Sequence, residues 1–148
     1  MRTIGNYFAR ISRFSTIHFS TLFKQYQLGS GEHRILSLLG DYPDGIKQED
    51  VAAALYLNKG VVTRMATRLL QKGFIQIGQN PSDRRVKKLF LTAKGFAILP
   101  YLEKARWDWQ QVLLQELDIK PEALEKILAH IEANAYRAIL QAKEMPQE

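Results

Sequence analysis

Apolar residues recur at helical spacing along residues 4 to 26, where Ile4, Tyr7, Phe8, Ile11, His18, Leu22 and Tyr26 share one stripe. Phe14 and Ile17 lie off that stripe, so more than one side of this helix is apolar. A helix of that kind needs two packing partners, and in so short a chain the second can be another subunit. In "GSGEH", Gly29 and Gly31 break the period, and Ser30 is placed to cap a second helix carrying Ile35, Leu36, Leu38 and Leu39. "DYPDG" at 41 to 45 has the composition of a turn.

In "IKQEDVAAALYLN", Glu49 and Asp50 suit the positive end of a short third helix starting near Lys47, and Ile46 is placed to staple onto Val51. "NKGVVTRMATRLLQKGF" follows with almost no linker; Asn58 is a favourable N-cap and Gly73 a favourable stop. Two helices joined by a tight turn form a helix-turn-helix. At about 100° per residue, Val62, Met65, Ala66, Leu69 and Leu70 fall on one side of the helix 59 to 72 and predict its core face. Gly60, Thr63, Arg64, Thr67, Arg68 and Gln71 lie opposite.

The period then changes to two. Ile75 and Ile77 alternate with Gln76 and Gly78, Asn80 to Asp83 have turn composition, and a second strand runs from about Arg85 to Leu91. Thr92 is placed to cap the next helix. A helix-turn-helix followed by a hairpin with a basic tip is a winged helix, and the hairpin is its wing. A long helix from Ala93 to about Leu117 carries Phe96, Leu99, Leu102, Trp109 and Leu113, with Pro100 expected to kink it or open a hydrogen bond. Trp107 and Trp109 stand about 200° apart on a helix, so they cannot both face one core. Pro121 starts a last helix with a stripe of Leu124, Ile127, Leu128, Ile131, Ala135 and Ile139.

Charge changes this picture. Between Asn58 and Lys94 stand nine Lys and Arg and one acid, Asp83, so this stretch alone carries +8 against +6 for the whole chain. Charge runs are more often plain solvated faces, and cations also blunt exposed hairpin edges. Four cations in the five positions Arg84 to Lys88 exceed that need. The concentration marks a surface that can neutralise phosphates. Arg suits bidentate contact with guanine or phosphate, and Thr can meet phosphate or a thymine methyl.

Other chemistry is scarce. The chain has no cysteine, which excludes disulfides, thiolate metal sites and thiol redox sensing. His18, His33 and His130 are scattered without metal spacing, and no metal or other cofactor is expected. His18 lies on the apolar stripe and reads as a packed histidine, and His33 has no acid-base partner beyond its neighbour Glu32, which points elsewhere on a helix. No Ser-His-Asp elbow, Walker loop or dinucleotide fingerprint is present, so no enzyme is expected. No apolar run approaches a membrane span and Met1 to Arg10 lack a signal-peptide pattern, which predicts a cytoplasmic protein.

The stretch "GIKQEDVAAALYLNKGVVTRMATRLLQKGFIQIGQNPSDRRVKKLFLTAKG" resembles the MarR (multiple antibiotic resistance regulator) family of transcription factors. "DRRVKKLFLTAKG" matches that family's wing pattern of Asp-x-Arg followed by Leu-Thr-x-x-Gly, and "LQKGFI" matches its exit from the recognition helix. The resemblance implies a mainly α fold with a small hairpin wing. It divides the chain into a winged helix-turn-helix at 30–92 and helical dimerisation regions at 1–28 and 93–148. It further implies a homodimer on a pseudo-palindromic operator of double-stranded DNA. Lys59, Gly60, Thr63, Arg64, Thr67, Arg68, Arg84, Arg85 and Lys87 are the candidate DNA-binding residues. Asp83 matches the wing-bracing aspartate. The Asp-x-Arg spacing favours Arg85 over Arg84 for the minor groove, without deciding between them. A repressor is expected, with a small aromatic acid or phenol as candidate effector between the first, second and fifth helices. The alternative reading is a winged-helix module whose basic face docks an acidic protein.

Overall fold

A computed structural model of the chain describes residues 3–80 and 83–144, with the side chains of 80, 83–85, 143 and 144 outside the description. Helix α1 spans Ile4–Leu22 and runs into a 3-10 turn, Phe23–Tyr26. Helices α2 (Glu32–Gly40), α3 (Gln48–Ala54) and α4 (Lys59–Gln71) follow. An antiparallel hairpin of β1 (Ile75–Asn80) and β2 (Asp83–Leu91) comes next, then α5 (Ala93–Leu114) and α6 (Pro121–Glu144). The elements expected from periodicity are therefore present. Among the described residues, no helix is long and apolar enough to cross a membrane.

The chain divides into two compact units, Met1–Arg106 and Trp107–Glu148, with the boundary inside α5. The first unit holds a core built around Phe23, Ile35, Leu36, Leu39, Val51, Val62, Leu69 and Leu102. Burying these side chains is the main driving force for the unit, at roughly 1.5 to 3 kcal/mol for each fully buried large one. The predicted inner face of α4 is inside: Val62, Ala66 and Leu69 are buried, with Met65 and Leu70 packed against them. In the second unit, α6 starts at Pro121 as expected, and Ile127, Leu128, Ile131 and Ile139 of its stripe are exposed. Trp107 is 61% exposed whereas Trp109 is partly covered, so the two do face differently. Helix α5 continues through Pro100.

Two local expectations change, and Ile46 gains a further role. Ser30 does not cap α2: the N-cap is Gly31, at φ +78°, and no side chain caps from that position. The carboxylate of Glu32 instead accepts the N–H of Gly29 at 2.7 Å, so the turn is tied from inside the helix. Ile46, besides being buried, exchanges two backbone hydrogen bonds with Leu89, its N–H donating at 3.2 Å and its carbonyl accepting at 2.8 Å. This single bridge anchors the hairpin root to the segment before α3, and one residue has no period to read. The second strand also begins two residues earlier than Arg85.

The hairpin leaves the core as it proceeds. Ile75 is buried, but Ile77, on the same side two residues on, is 52% exposed. The root is fixed by the Leu-Thr-x-x-Gly segment. Thr92 Oγ1 donates to the Gly73 carbonyl at 2.6 Å and accepts the Gly95 N–H at 3.1 Å, capping α5 as expected while closing the end of α4 onto its start. A Cβ at Gly95 would stand 2.2 Å from the Phe74 carbonyl oxygen, so only glycine lets the two backbones meet.

Candidate nucleic-acid interface

Helix α4 begins at a turn in which Tyr56 takes a positive φ of 52°, and Asn58 Oδ1 accepts the Gly60 N–H at 2.8 Å. Asn58 is thus the N-cap that its residue type predicted. With no acid in its first turn, α4 presents the positive end of its dipole beside Lys59. Lys59, Gly60, Thr63, Arg64, Thr67 and Arg68 all lie on exposed positions of this helix, opposite the buried Val62, Ala66 and Leu69. One amphipathic helix therefore brings six of the nine candidate binding residues together. Lys87, also exposed, stands on β2 beside a cleft shared with Lys47, Gln48 and Glu49 at the start of α3. The side chains of Arg84, Arg85 and Asp83 lie outside the described residues, and with them the wing-bracing role of Asp83.

The cations are not equivalent. Arg68 Nε and Lys72 Nζ each donate to the carboxylate of Glu32 at 2.7 Å. Glu32 has no exposed surface, and it is the buried charged residue the sequence reading passed over. Burial pushes its pKa up more than any other single cause. The hydrogen bonds from Lys72, Arg68 and the Gly29 N–H, together with the charge of Lys72, outweigh that and hold it below the ordinary carboxylate value. Lys88 Nζ donates to the Asp44 carbonyl at 3.2 Å. Lys94 Nζ donates to the Lys72 carbonyl at 2.8 Å and lies 4.3 Å from the centre of the Phe74 ring, a cation at the C-terminal end of α4. Four of the nine clustered cations thus also serve the fold. Among the described residues, Lys59, Arg64 and Lys87 are exposed and make no ion pair.

A separate cleft of about 280 Å³ is lined by Phe19 of α1, by His33, Arg34, Ser37 and Leu38 of α2, by Asp41 and Leu55, and by Arg106 of α5. Ser37 Oγ is buried there and has no hydrogen-bond partner among the described residues. The His33 ring packs 5.1 Å from Phe19 and 5.0 Å from Phe23, centroid to centroid. Burial, with the charges of Arg34 and Arg106, lowers its pKa from 6.5 to about 4, so the ring is a neutral wall at pH 7.

Comparison with known proteins agrees with this geometry. The model of the MarR family matches residues 28–87, from the turn before α2 into the second strand of the hairpin. The HTH-type transcriptional regulator YybA of Bacillus subtilis (strain 168) is 30% identical over 104 residues, 70% of this chain. That alignment spans 66% of YybA, just under two thirds of its length. The crystal structure of the transcriptional regulator SlyA superposes with a TM-score of 0.85 at 25% identity, covering 93% of this chain and 96% of that one. A MarR family regulator from Listeria monocytogenes, crystallised with a 26mer DNA, gives a TM-score of 0.86 over 100% of this chain and 99% of its own. At 23% identity, that likeness speaks for the fold.

Proposed function

Because this chain belongs to the MarR family, whose members are transcriptional regulators and not enzymes, we propose that it binds double-stranded DNA as a homodimeric repressor. The exposed face of α4 enters the major groove, and the basic hairpin, through Arg84 or Arg85, reaches the adjacent minor groove. The observation that carries this reading is the face itself. Among the described residues, Lys59 and Arg64 make no ion pair, and they stand beside Thr63 and Thr67 on a capped helix packed into the core, with Lys87 on the neighbouring hairpin. Affinity then comes largely from phosphate neutralisation, and specificity from a few base-edge contacts.

The apolar exterior of α1 supports the dimer. Ile4, Tyr7, Phe8, Ile11, Phe14 and Ile17 are all exposed in the single chain, and α6 exposes a stripe of its own. Contiguous apolar faces of this kind mark association surfaces, and two copies bring two α4 helices to two half-sites. The cleft beside His33 supports an effector that is a small aromatic acid. Phe19 and neutral His33 offer ring faces, Ser37 a hydroxyl, and Arg34 and Arg106 two guanidiniums for a carboxylate.

Fluorescence anisotropy with the upstream intergenic DNA of the chain's own gene and a scrambled control, over a salt series, tests the reading. Selective binding at one dimer per site with a steep negative salt slope is the expected result. Equal, weak binding to both DNAs would reject it in favour of an acidic protein partner.

A further inference from the structure

The hydroxyl of Thr63 is already spent. Its oxygen donates a proton to the Lys59 carbonyl at 2.9 Å and accepts one from Gln48 Nε2 at 2.8 Å. A hydroxyl has one proton, so Thr63 has no donor left for a phosphate oxygen. The residue is exposed on the candidate face, and what remains for it to offer is its methyl group and one lone pair, neither of which can donate to a phosphate oxygen.

The same bond fixes Gln48. Because the Thr63 proton goes to Lys59, the oxygen faces Gln48 as an acceptor, and the amide must present nitrogen. Gln48 is the first residue of α3 and is partly buried. It also lines the cleft of about 320 Å³ that runs to Val86 and Lys87 at the hairpin. It therefore joins the helix before the turn, the exposed face of α4 and the flank of the hairpin. Threonine on a helix divides between two rotamers, since its oxygen can reach the preceding turn from either, and a second bond to a neighbouring helix selects one. Among the described residues, Thr67 has no such second partner: its hydroxyl donates to the Thr63 carbonyl, at 2.9 Å.

We propose that Thr63 reads a thymine through methyl-to-methyl contact, and that Gln48 is the positioning residue that keeps the Thr63 hydroxyl turned inward. The proposal rests on the DNA-binding reading above. Thymine is the base that presents an apolar group in the major groove, its C5 methyl, so a threonine whose hydroxyl proton is committed and whose methyl is exposed is matched to it.

The test begins with selection of sites from a random duplex library by the wild-type protein. Each thymine of the selected site is then replaced singly by deoxyuridine, which removes the methyl and nothing else. One replacement per half-site should weaken wild-type binding about fourfold, the factor for burying one methyl-sized group. Thr63→Ser, which removes the methyl from both subunits of the dimer, should bind the thymine site weaker by the square of that factor, about sixteenfold, and be indifferent to the replacement. Thr63→Val, which keeps a methyl, should still discriminate. Gln48→Ala should lose most of the discrimination while melting near the wild-type temperature, a result that a merely structural role for Gln48 would not produce. If no replacement affects the wild type, or if Thr63→Ser still discriminates fully, the proposal is overturned. A wild type that enriches no sequence would instead overturn the DNA-binding reading on which it rests.

Discussion

Arg68 and Glu32 are joined across 36 positions of sequence by a 2.7 Å hydrogen bond from guanidinium Nε to carboxylate Oε1, the arginine 46% exposed and the glutamate fully covered. The pair, completed by Lys72, locks the far half of α4 to the start of α2. Because only Nε is used in that bond, the outer nitrogens of Arg68 remain available, so the residue can brace the helix and still meet a phosphate.

Glu32→Ala should therefore destabilise the fold by about 2 kcal/mol, below the 3 to 5 kcal/mol typical of broken buried pairs, because Arg68 and Lys72 can turn to water. Urea unfolding measures it. An unchanged midpoint would show that the network adds nothing to stability.

Acid should act in two stages. His33 has a depressed folded pKa of about 4, so between 6.5 and 4 the unfolded chain takes up a proton that the folded chain refuses, and stability falls as pH falls through that window. Glu32, also depressed, contributes stability that is fully present above 4.5 and is lost only as pH falls through its lower folded value. Melting curves from pH 7 to 3 should show both stages. His33→Phe, which keeps a ring between Phe19 and Phe23, should remove the first alone.

Arg64→Ala should weaken DNA binding by roughly 1 to 3 kcal/mol and change sequence preference, since its guanidinium is exposed and forms no ion pair among the described residues. Lys87→Ala should lower affinity uniformly and reduce the salt slope by about one phosphate equivalent. Anisotropy titrations on a selected and a shuffled site separate the two. Equal effects of both variants on both sites would mean that Arg64 touches only phosphate.

Gly95→Ala should cost roughly 1 to 3 kcal/mol, because its Cβ would be driven onto the Phe74 carbonyl and either the α5 start or the hairpin root must shift. Thermal unfolding tests it. A wild-type melting temperature would mean that the junction yields freely.

Arg106→Ala should abolish any rise in melting temperature produced by aromatic carboxylates such as salicylate or benzoate, while neutral phenols keep theirs. A ligand series in thermal shift decides it. If no compound moves the wild type, the cleft beside His33 is not an effector site.

What the sequence determined was whatever depends on near neighbours. The inward face of α4, the Asn58 cap, the Thr92 cap and the change of period at Ile75 are set by residues within a turn or two of one another, and each stands in the structure as the pattern required. Ser30 departed from its local signal, because α2 begins one residue later, with Gly31 at φ +78° as its N-cap. The cations of residues 58 to 94 were legible as a cluster but not by role. Which of them are tethered depends on partners contributed by other elements: Glu32 on α2, the carbonyl of Asp44, and the end of α4 itself. Only the tertiary structure decided that, as it decided that Gln48 would meet Thr63. Hydrophobic periodicity says which face turns inward, but a hydrogen bond between two helices requires their packing to bring particular atoms within about 3 Å.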